Sequence, residues 1–224
     1  MPSFNELYYG GIGNTDLRPE LINQFNYTYT HERYHYKRDM RIVGAVYVNE
    51  VRDKILSIPT KNLFVWSMQN VERVLAYGAE VDFKFTRKFH SDSKLIIDLN
   101  YSFQRAIDIT NELSPTYGHQ IAYVPIHTGN ISLTEYFYDL GMRLSSYFIS
   151  SRYVLNENVY SNLESGFVTT DITLFYKYNL KKKSKSNFTL QATVKNIFNV
   201  QYAYVRSFSM PGTNFIFSLS YAFN

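Results

Sequence analysis

Lys94-Leu95-Ile96-Ile97-Asp98-Leu99-Asn100-Tyr101-Ser102-Phe103-Gln104 is the stretch on which the fold turns. In an extended chain Leu95, Ile97, Leu99, Tyr101 and Phe103 fall on one side. Lys94, Asp98, Asn100, Ser102 and Gln104 fall on the other, with Ile96 as the apolar exception. Successive side chains of a strand point to opposite faces, so this period of two predicts a strand with one apolar and one polar face.

Working outward, the same alternation recurs. Phe188, Leu190, Ala192 and Val194 oppose Thr189, Gln191, Thr193 and Lys195, and Phe215, Phe217, Leu219, Tyr221 and Phe223 oppose Ser218, Ser220 and Ala222. Val81, Phe83 and Phe85 oppose Glu80, Asp82 and Lys84. Ile172, Leu174, Tyr176 and Tyr178 oppose Asp171, Thr173 and Lys177, and Phe25, Tyr27 and Tyr29 oppose Gln24, Asn26 and Thr28. Strands are expected over residues 20–31, 40–56, 66–87, 93–106, 128–138, 140–152, 167–178, 187–196 and 213–223. A soluble antiparallel sandwich also alternates. A membrane barrel fits better, because the alternation lasts about ten residues per strand, the apolar face is bulky and aromatic, and charges stand mid-strand on the polar face. A sandwich core would not tolerate those charges, whereas a wet or plugged lumen does.

Composition agrees. Hydrophobic residues make up 45% and charged residues 19%, with 21 Tyr, 17 Phe and one Trp, a supply of rings suited to strands and membrane interfaces. There is no Cys, which removes disulfide frameworks and thiolate metal sites. The net charge of +4 is not concentrated as nucleic-acid binding would require. Its densest run, Lys181-Lys182-Lys183-Ser184-Lys185, reads as a solvated turn. No apolar run is long enough for a transmembrane helix, and Met1-Pro2-Ser3-Phe4-Asn5-Glu6 is not a signal peptide.

Connections alternate in length. Short links are expected at 32–39, 88–92, 139 and 179–186, and long ones, rich in Pro, Gly, Asn and Tyr, at 107–127, 153–166 and 197–212. Outer-membrane barrels carry short turns on the periplasmic side and long loops outside. An odd number of antiparallel strands cannot close on itself, and open edges in lipid leave costly unpaired backbone groups. The expectation is therefore a partial barrel, with further strands ahead of residue 1.

Several stretches carry a family resemblance. Phe4-Asn5-Glu6-Leu7-Tyr8-Tyr9 and Gly13-Asn14-Thr15-Asp16-Leu17-Arg18-Pro19-Glu20 resemble the F-x-E/D-L-Y…G-N-P-x-L-K-P-E signature of TonB-dependent outer-membrane receptors, with Thr15 and Arg18 departing from its Pro and Lys. Val194-Lys195-Asn196-Ile197-Phe198-Asn199 with Tyr202 is similar to the family's V-x-N-L-F-[DN]…Y motif. Met210-Pro211-Gly212-Thr213-Asn214-Phe215 and Ser218-Leu219-Ser220-Tyr221-Ala222-Phe223 look like its closing segment, although Asn224 follows the terminal aromatic. Residues 49–55 and 123–130 look most like the Bacteroidetes branch related to vitamin B12 receptors. The resemblance covers the whole chain. It implies an all-β, antiparallel transmembrane barrel of which residues 1–224 form about the last nine of twenty-two strands, the plug domain and earlier strands lying upstream. It also implies an outer-membrane location in a Gram-negative bacterium and active import rather than catalysis. The implied partners are outer-membrane lipid, the TonB complex through an upstream region, a small ligand such as a corrinoid or iron-siderophore, and a surface lipoprotein.

Local chemistry gives the motifs a structural reading too. Gly13-Asn14 and Pro211-Gly212 suit turns through a positive or fixed φ, Pro19 opens a strand, and Asn196 ends one by bonding nearby backbone. The candidate ligand contacts are loop-edge groups: Trp66, Tyr117, Gln120, Tyr123, Tyr153, Tyr160, Tyr204 and Arg206. The same tyrosines would equally serve as an interfacial girdle. Glu80, Asp82, Lys84, Asp98, Asn100, Asp171 and Lys195 would face the lumen and, by the resemblance, a plug. His31, His35 and His90 belong at short turns, and His119 and His127 at a long loop. None has the spacing of a zinc site, and no G-x-S-x-G or similar catalytic motif occurs. No cofactor is expected. The rival readings are a passive porin or channel, an outer-membrane hydrolase and a soluble β-sandwich or lectin-like module.

Overall fold

The computed structural model describes residues 1–60, 64–90, 92–179 and 187–223. The lysine run at 181–185, most of the link at 179–186 and Asn224 lie outside the described residues. In chain order the elements are α1 (Phe4–Tyr8), β1 (Leu21–His35), β2 (Arg38–Pro59), β3 (Trp66–His90), β4 (Ser93–Asp108), β5 (His127–Phe137), β6 (Leu140–Ile149), β7 (Arg152–Tyr153), a 3-10 turn (Tyr160–Asn162), β8 (Leu163–Glu164), β9 (Phe167–Asn179), β10 (Asn187–Lys195), β11 (Ala203–Val205), β12 (Phe208–Ser209) and β13 (Asn214–Ala222).

Nine of these strands make one meander, in the order β1-β2-β3-β4-β5-β6-β9-β10-β13, antiparallel throughout. The two faces are those of the alternating pattern. Leu99 stands opposite Phe83 and Ile131, whereas its chain neighbour Asn100 stands opposite Asp82 and Asn130. On the far side of the sheet Leu190 opposes Leu219 and Tyr176, and Gln191 opposes Ser218.

The pairing is staggered. Directly opposed residues run from Arg33 through Met40, Phe85, Ile97, Leu133, Leu144, Ile172 and Val194 to Phe215. Arg33 lies at the short-turn end of β1, and Phe215 lies at the long-loop end of β13. The row thus moves from two residues above the short-turn end of β1 to seven above that of β13, the stagger of tilted strands that a closing barrel needs.

Among the described residues no second layer covers the apolar face. Phe217 is 79% exposed and Leu219 65%, where a sandwich would bury both. The buried apolar cluster sits elsewhere, at the long-loop end. There Val51, Val74 and Ala106 on the polar face are capped by Ile121 from the loop after β4. The sheet is therefore built for a surrounding that is itself apolar.

Strand ends differ from the sequence reading. β1 runs on through Glu32, Arg33 and His35, and only Tyr36 and Lys37 form the turn, so His31 and His35 belong to the strand. Polar residues hide that extension from a hydrophobic pattern, while cross-strand pairing such as Glu32 with Arg41 (3.2 Å) supports it. β2 and β3 have 22 and 25 residues. At ~3.3 Å per residue the longer one is roughly 80 Å long, more than twice what a tilted membrane strand requires. Their stem projects beyond the barrel wall on the long-loop side.

The N-terminal motif clamps that stem. α1 begins with a Ser3–Glu6 capping box, whose serine-to-glutamate spacing is a helix start signal. Ser3 backbone hydrogen bonding holds the Glu6 carboxyl below its usual range. The Asn14 amide donates to Met68 O (3.0 Å), Arg18 pairs with Asp53 (2.6 Å), and Glu20 pairs with Lys54 (3.2 Å) and accepts from Ile55 N (2.7 Å). Asn70 accepts from Arg18 N (2.9 Å) and donates to Arg18 O (3.0 Å) and Asp53 O (2.7 Å). Gly13 does not supply positive φ; that belongs to Gly11 (φ 78°). Gly13 is needed for space, since a Cβ there would lie 2.7 Å from Tyr9 N. Gly212 likewise has no positive φ, and its place against the Asn199 side chain leaves no room for a Cβ.

Candidate functional site: the long-loop mouth

The loop after β4 folds back over the polar face rather than standing clear. Gln120 bridges to Ile107, Ile121 N donates to Ala106 O (2.8 Å), and Gln104 N donates to Ile126 O (2.8 Å). The Asp108 carboxylate holds the loop's start by accepting from Thr110 N (2.9 Å) and the Thr116 hydroxyl (2.8 Å).

The loop after β6 is laced to it. Asn158 accepts from Gln120 N (2.6 Å) and donates to Gln120 O (2.9 Å), and Asn156 accepts from Ala122 N (2.8 Å). Asn158 takes φ 49°, a left-handed conformation that Asn tolerates well.

The last long loop is fixed to the second by two arginines. Arg152 is 3% exposed and donates from Nη2 to Ala203 O (2.6 Å) and Tyr204 O (2.8 Å), with its guanidinium over the Phe167 ring at 5.9 Å. Burial lowers its pKa, while Glu164 and the phenols of Tyr123, Tyr147 and Tyr204 act the other way. Arg206 pairs with Glu164 (3.0 Å) and donates to Ser161 O (3.1 Å) and Leu163 O (2.8 Å). Within the loop, Asn196 (φ 50°) clasps Val200, and the Asn196 carbonyl accepts from the Thr213 hydroxyl (2.7 Å).

All these pieces meet at Tyr123. Its backbone has φ 59°, unusual for a bulky residue. Its N–H donates to Tyr153 O (2.7 Å), and its ring lies 5.4 Å from that of Trp66. Burial pushes its phenol pKa up, with a backbone hydrogen bond from Arg206 opposing that rise. Beside it Phe167 packs on Tyr202 (4.6 Å), Tyr204 (5.4 Å) and Tyr147 (6.2 Å). The mouth thus offers aromatic faces backed by two hydrogen-bonded cations, Arg152 buried and Arg206 half-buried, an arrangement suited to a rigid ligand with planar and polar parts.

Of the loop-edge groups singled out in the sequence, Trp66, Tyr123, Tyr153, Tyr204 and Arg206 gather here. Tyr117 (41% exposed) and Tyr160 (90% exposed) stand outward on their loops. Gln120 is 3% exposed, and its amide is spent on Ala106 N and Val124 O. Arg152, Glu164, Phe167, Asn156 and Asn158 were not singled out. For Arg152 the available signal was a lone charge among aromatic residues at a strand end. His119 contacts Asn156 O (3.0 Å) and His127 the Tyr101 hydroxyl (2.8 Å). Among the described residues no group of three or more His, Asp or Glu gathers as a metal site.

The proposed plug-facing residues share the polar face. Lys84 pairs with Asp98 (3.4 Å), and Asn100 hydrogen-bonds Asp82. With Arg41, Ser132 and Arg143 these four line a cleft of about 420 Å³. Glu80 stands opposite Ser102. Asp171 accepts from Asn196 N (2.8 Å), tying the wall to the last loop, and Lys195 opposes Asn214.

An open, tilted, antiparallel wall with an uncovered apolar face, a polar inner face and laced loops at one end defines the class: a transmembrane β-barrel. Residues 1–197 match the model of the TonB-dependent-receptor-like β-barrel family, and the chain belongs to that family. Among solved structures, the copper transporter OprC superposes with a TM-score of 0.68 at 15% identity over 98% of this chain and 35% of its own. The ferric-catecholate import receptor Fiu of Escherichia coli K12 gives 0.63 at 15% identity, over 94% and 29%. The ferric yersiniabactin uptake receptor FyuA of Yersinia pestis gives 0.55 at 16%, over 89% and 28%. The chain thus spans about a third of each of these proteins. Among curated proteins no sequence match was found.

Proposed function

We propose that this chain is the carboxy-terminal wall of an outer-membrane active transporter, which binds a scarce ligand outside and passes it to the periplasm on energy delivered through TonB. The observation that carries the reading is the two-faced wall joined to a structured mouth. The face turned outward suits lipid, the inner face carries Asp82, Lys84, Asp98 and Asn100 toward a plug, and Tyr123 joins the three long loops and the start of β3 at the mouth. The wall's open edges, β1 and β13, would be completed by earlier strands, as the one-third coverage of related structures suggests. The ligand class that suits the mouth is a rigid metal chelate or corrinoid, held by Trp66, Tyr123, Tyr153, Tyr204 and Arg206. A passive channel would share the strands but not the dependence on energy.

Cells expressing the full-length protein, given radiolabelled ferric siderophores, cobalamin or copper, test it. Accumulation of one of them that is abolished by an uncoupler or by loss of TonB supports the reading. Accumulation indifferent to both would establish the channel instead.

A further inference from the structure

At the short-turn end the apolar face finishes in a row of basic side chains. His35 stands directly opposite Arg38, and Arg38 directly opposite Arg87. Like charges in directly opposed positions destabilise a sheet, and among the described residues neither Arg38 nor Arg87 has a carboxylate within ion-pair distance. Along the same row the next residues are Leu95 and then Glu135, two strands away. Asp39 belongs to the opposite face, where it lies 3.9 Å from Lys88. The Arg87 guanidinium lies over the Phe89 ring at 4.9 Å, and the group lines a cleft of about 470 Å³ with Tyr36, Lys37 and Lys88. Immediately above it on the same face stand Met40, Ile42, Phe83 and Phe85.

We infer that this cleft binds the phosphodiester headgroup of an anionic phospholipid from the periplasmic leaflet, with its acyl chains lying along the Met40–Phe85 side of the wall. A phosphate between Arg38 and Arg87 replaces their repulsion with charge-assisted, two-pronged hydrogen bonds. The aromatic flanks place the cleft at headgroup depth, where Lys and Arg extend toward the interface. A free phosphate would use the basic row only, whereas a lipid uses the apolar strip as well, which is why the occupant is a lipid. The inference rests on the membrane orientation given under the proposed function.

The test is native mass spectrometry of the full-length protein in neutral detergent. Phosphatidylglycerol and phosphatidylcholine of identical chains are added, with inorganic phosphate as competitor. Phosphatidylglycerol is expected to be retained preferentially. The Arg38→Gln/Arg87→Gln variant is expected to bind it about tenfold more weakly or worse. The charge-matched Lys94→Gln/Lys177→Gln variant, altered on the opposite face, should bind normally, and Arg38→Lys/Arg87→Lys should retain part of the preference. Equal retention of the two lipids, or an unchanged preference in the double glutamine variant, overturns the site. Displacement by millimolar phosphate as effective as by lipid overturns the lipid as occupant. Failure of wild-type protein to insert into phosphatidylcholine vesicles would instead strike the membrane reading itself.

Discussion

Asn196 grips Val200 from both sides: its side-chain oxygen accepts from Val200 N (2.9 Å), and its amide donates to Val200 O (2.9 Å). The residue is 2% exposed and left-handed. An alanine there loses both bonds, leaves Val200 unsatisfied and keeps the backbone strain. Asn196→Ala should therefore cost about 2–4 kcal/mol in refolding of the full-length protein into lipid. Asn196→Gly loses the same two bonds but relieves the left-handed strain, so it should cost less. No loss in either variant would show that the clasp is not what holds the strand end.

Leu99 and Asn100 test the faces. An arginine at Leu99, midway along the apolar face, should destabilise the protein by roughly 2–4 kcal/mol in lipid, and one at Asn100 by much less. Leu219→Arg and Ser220→Arg should repeat the contrast, because Leu219 opposes Leu190 while Ser220 opposes Thr189. Equal costs measured by refolding into vesicles would reverse or abolish the inside–outside assignment.

Strand glycines divide by what faces them. A Cβ at Gly44 would meet nothing within 4 Å, whereas one at Gly78 would collide with the Phe103 carbonyl and, at 2.6 Å, with the Tyr47 hydroxyl. Gly44→Ala should be neutral or stabilising by up to about 1 kcal/mol, since alanine loses less backbone freedom on folding. Gly78→Ala should cost about 1–3 kcal/mol, because a backbone carbonyl cannot rotate away. Urea titrations in lipid distinguish them, and matching values would mean that the wall breathes enough to absorb a methyl group.

The wall was legible in the sequence because one period ran through it. Leu99 and Asn100, or Phe217 and Ser218, declare their faces without help from the rest of the chain. The extensions of β1 and β2 were not legible, since Arg33, His35 and Arg38 break the apolar rhythm and are held by pairing alone. α1 escaped notice although Ser3 and Glu6 carry its capping signal, because a helix this short has too little period to see. At the mouth, aromatic loop residues such as Trp66 and Tyr123 could be named from composition and position. Which of them would meet was not readable. Arg152 reaches Ala203 and Tyr204 across some fifty residues of sequence, and no local pattern encodes such a contact.

That contact gives the loops a separable stability. Arg152→Met keeps similar bulk but removes the donors that hold the Ala203 and Tyr204 carbonyls. Amide exchange across the last long loop should rise by about tenfold or more, equivalent to ~1.4 kcal/mol of lost protection. The wall, whose strands do not depend on Arg152, should keep its melting behaviour. Exchange confined to wild-type rates would mean that the Arg206–Glu164 pair alone secures the loop.

The final prediction concerns residues 1–224 expressed by themselves. The order β1-β2-β3-β4-β5-β6-β9-β10-β13 places β1 and β13 at opposite edges, and an odd number of antiparallel strands makes those edges run in the same direction. Closure would demand a parallel pair, and open edges leave N–H and C=O groups that lipid cannot satisfy and that in water recruit other chains. The exposed aromatic face, with Phe217 and Phe215 in the edge strand, adds to that tendency. Reconstituted alone in liposomes, the segment should aggregate or stay peripheral, show no heat-modifiable monomer on a gel and accumulate no ligand. Supplying the preceding strands in the same polypeptide should restore a folded, heat-modifiable species. A heat-modifiable monomer or specific uptake from residues 1–224 alone would instead make this wall a small barrel that closes on its own edges.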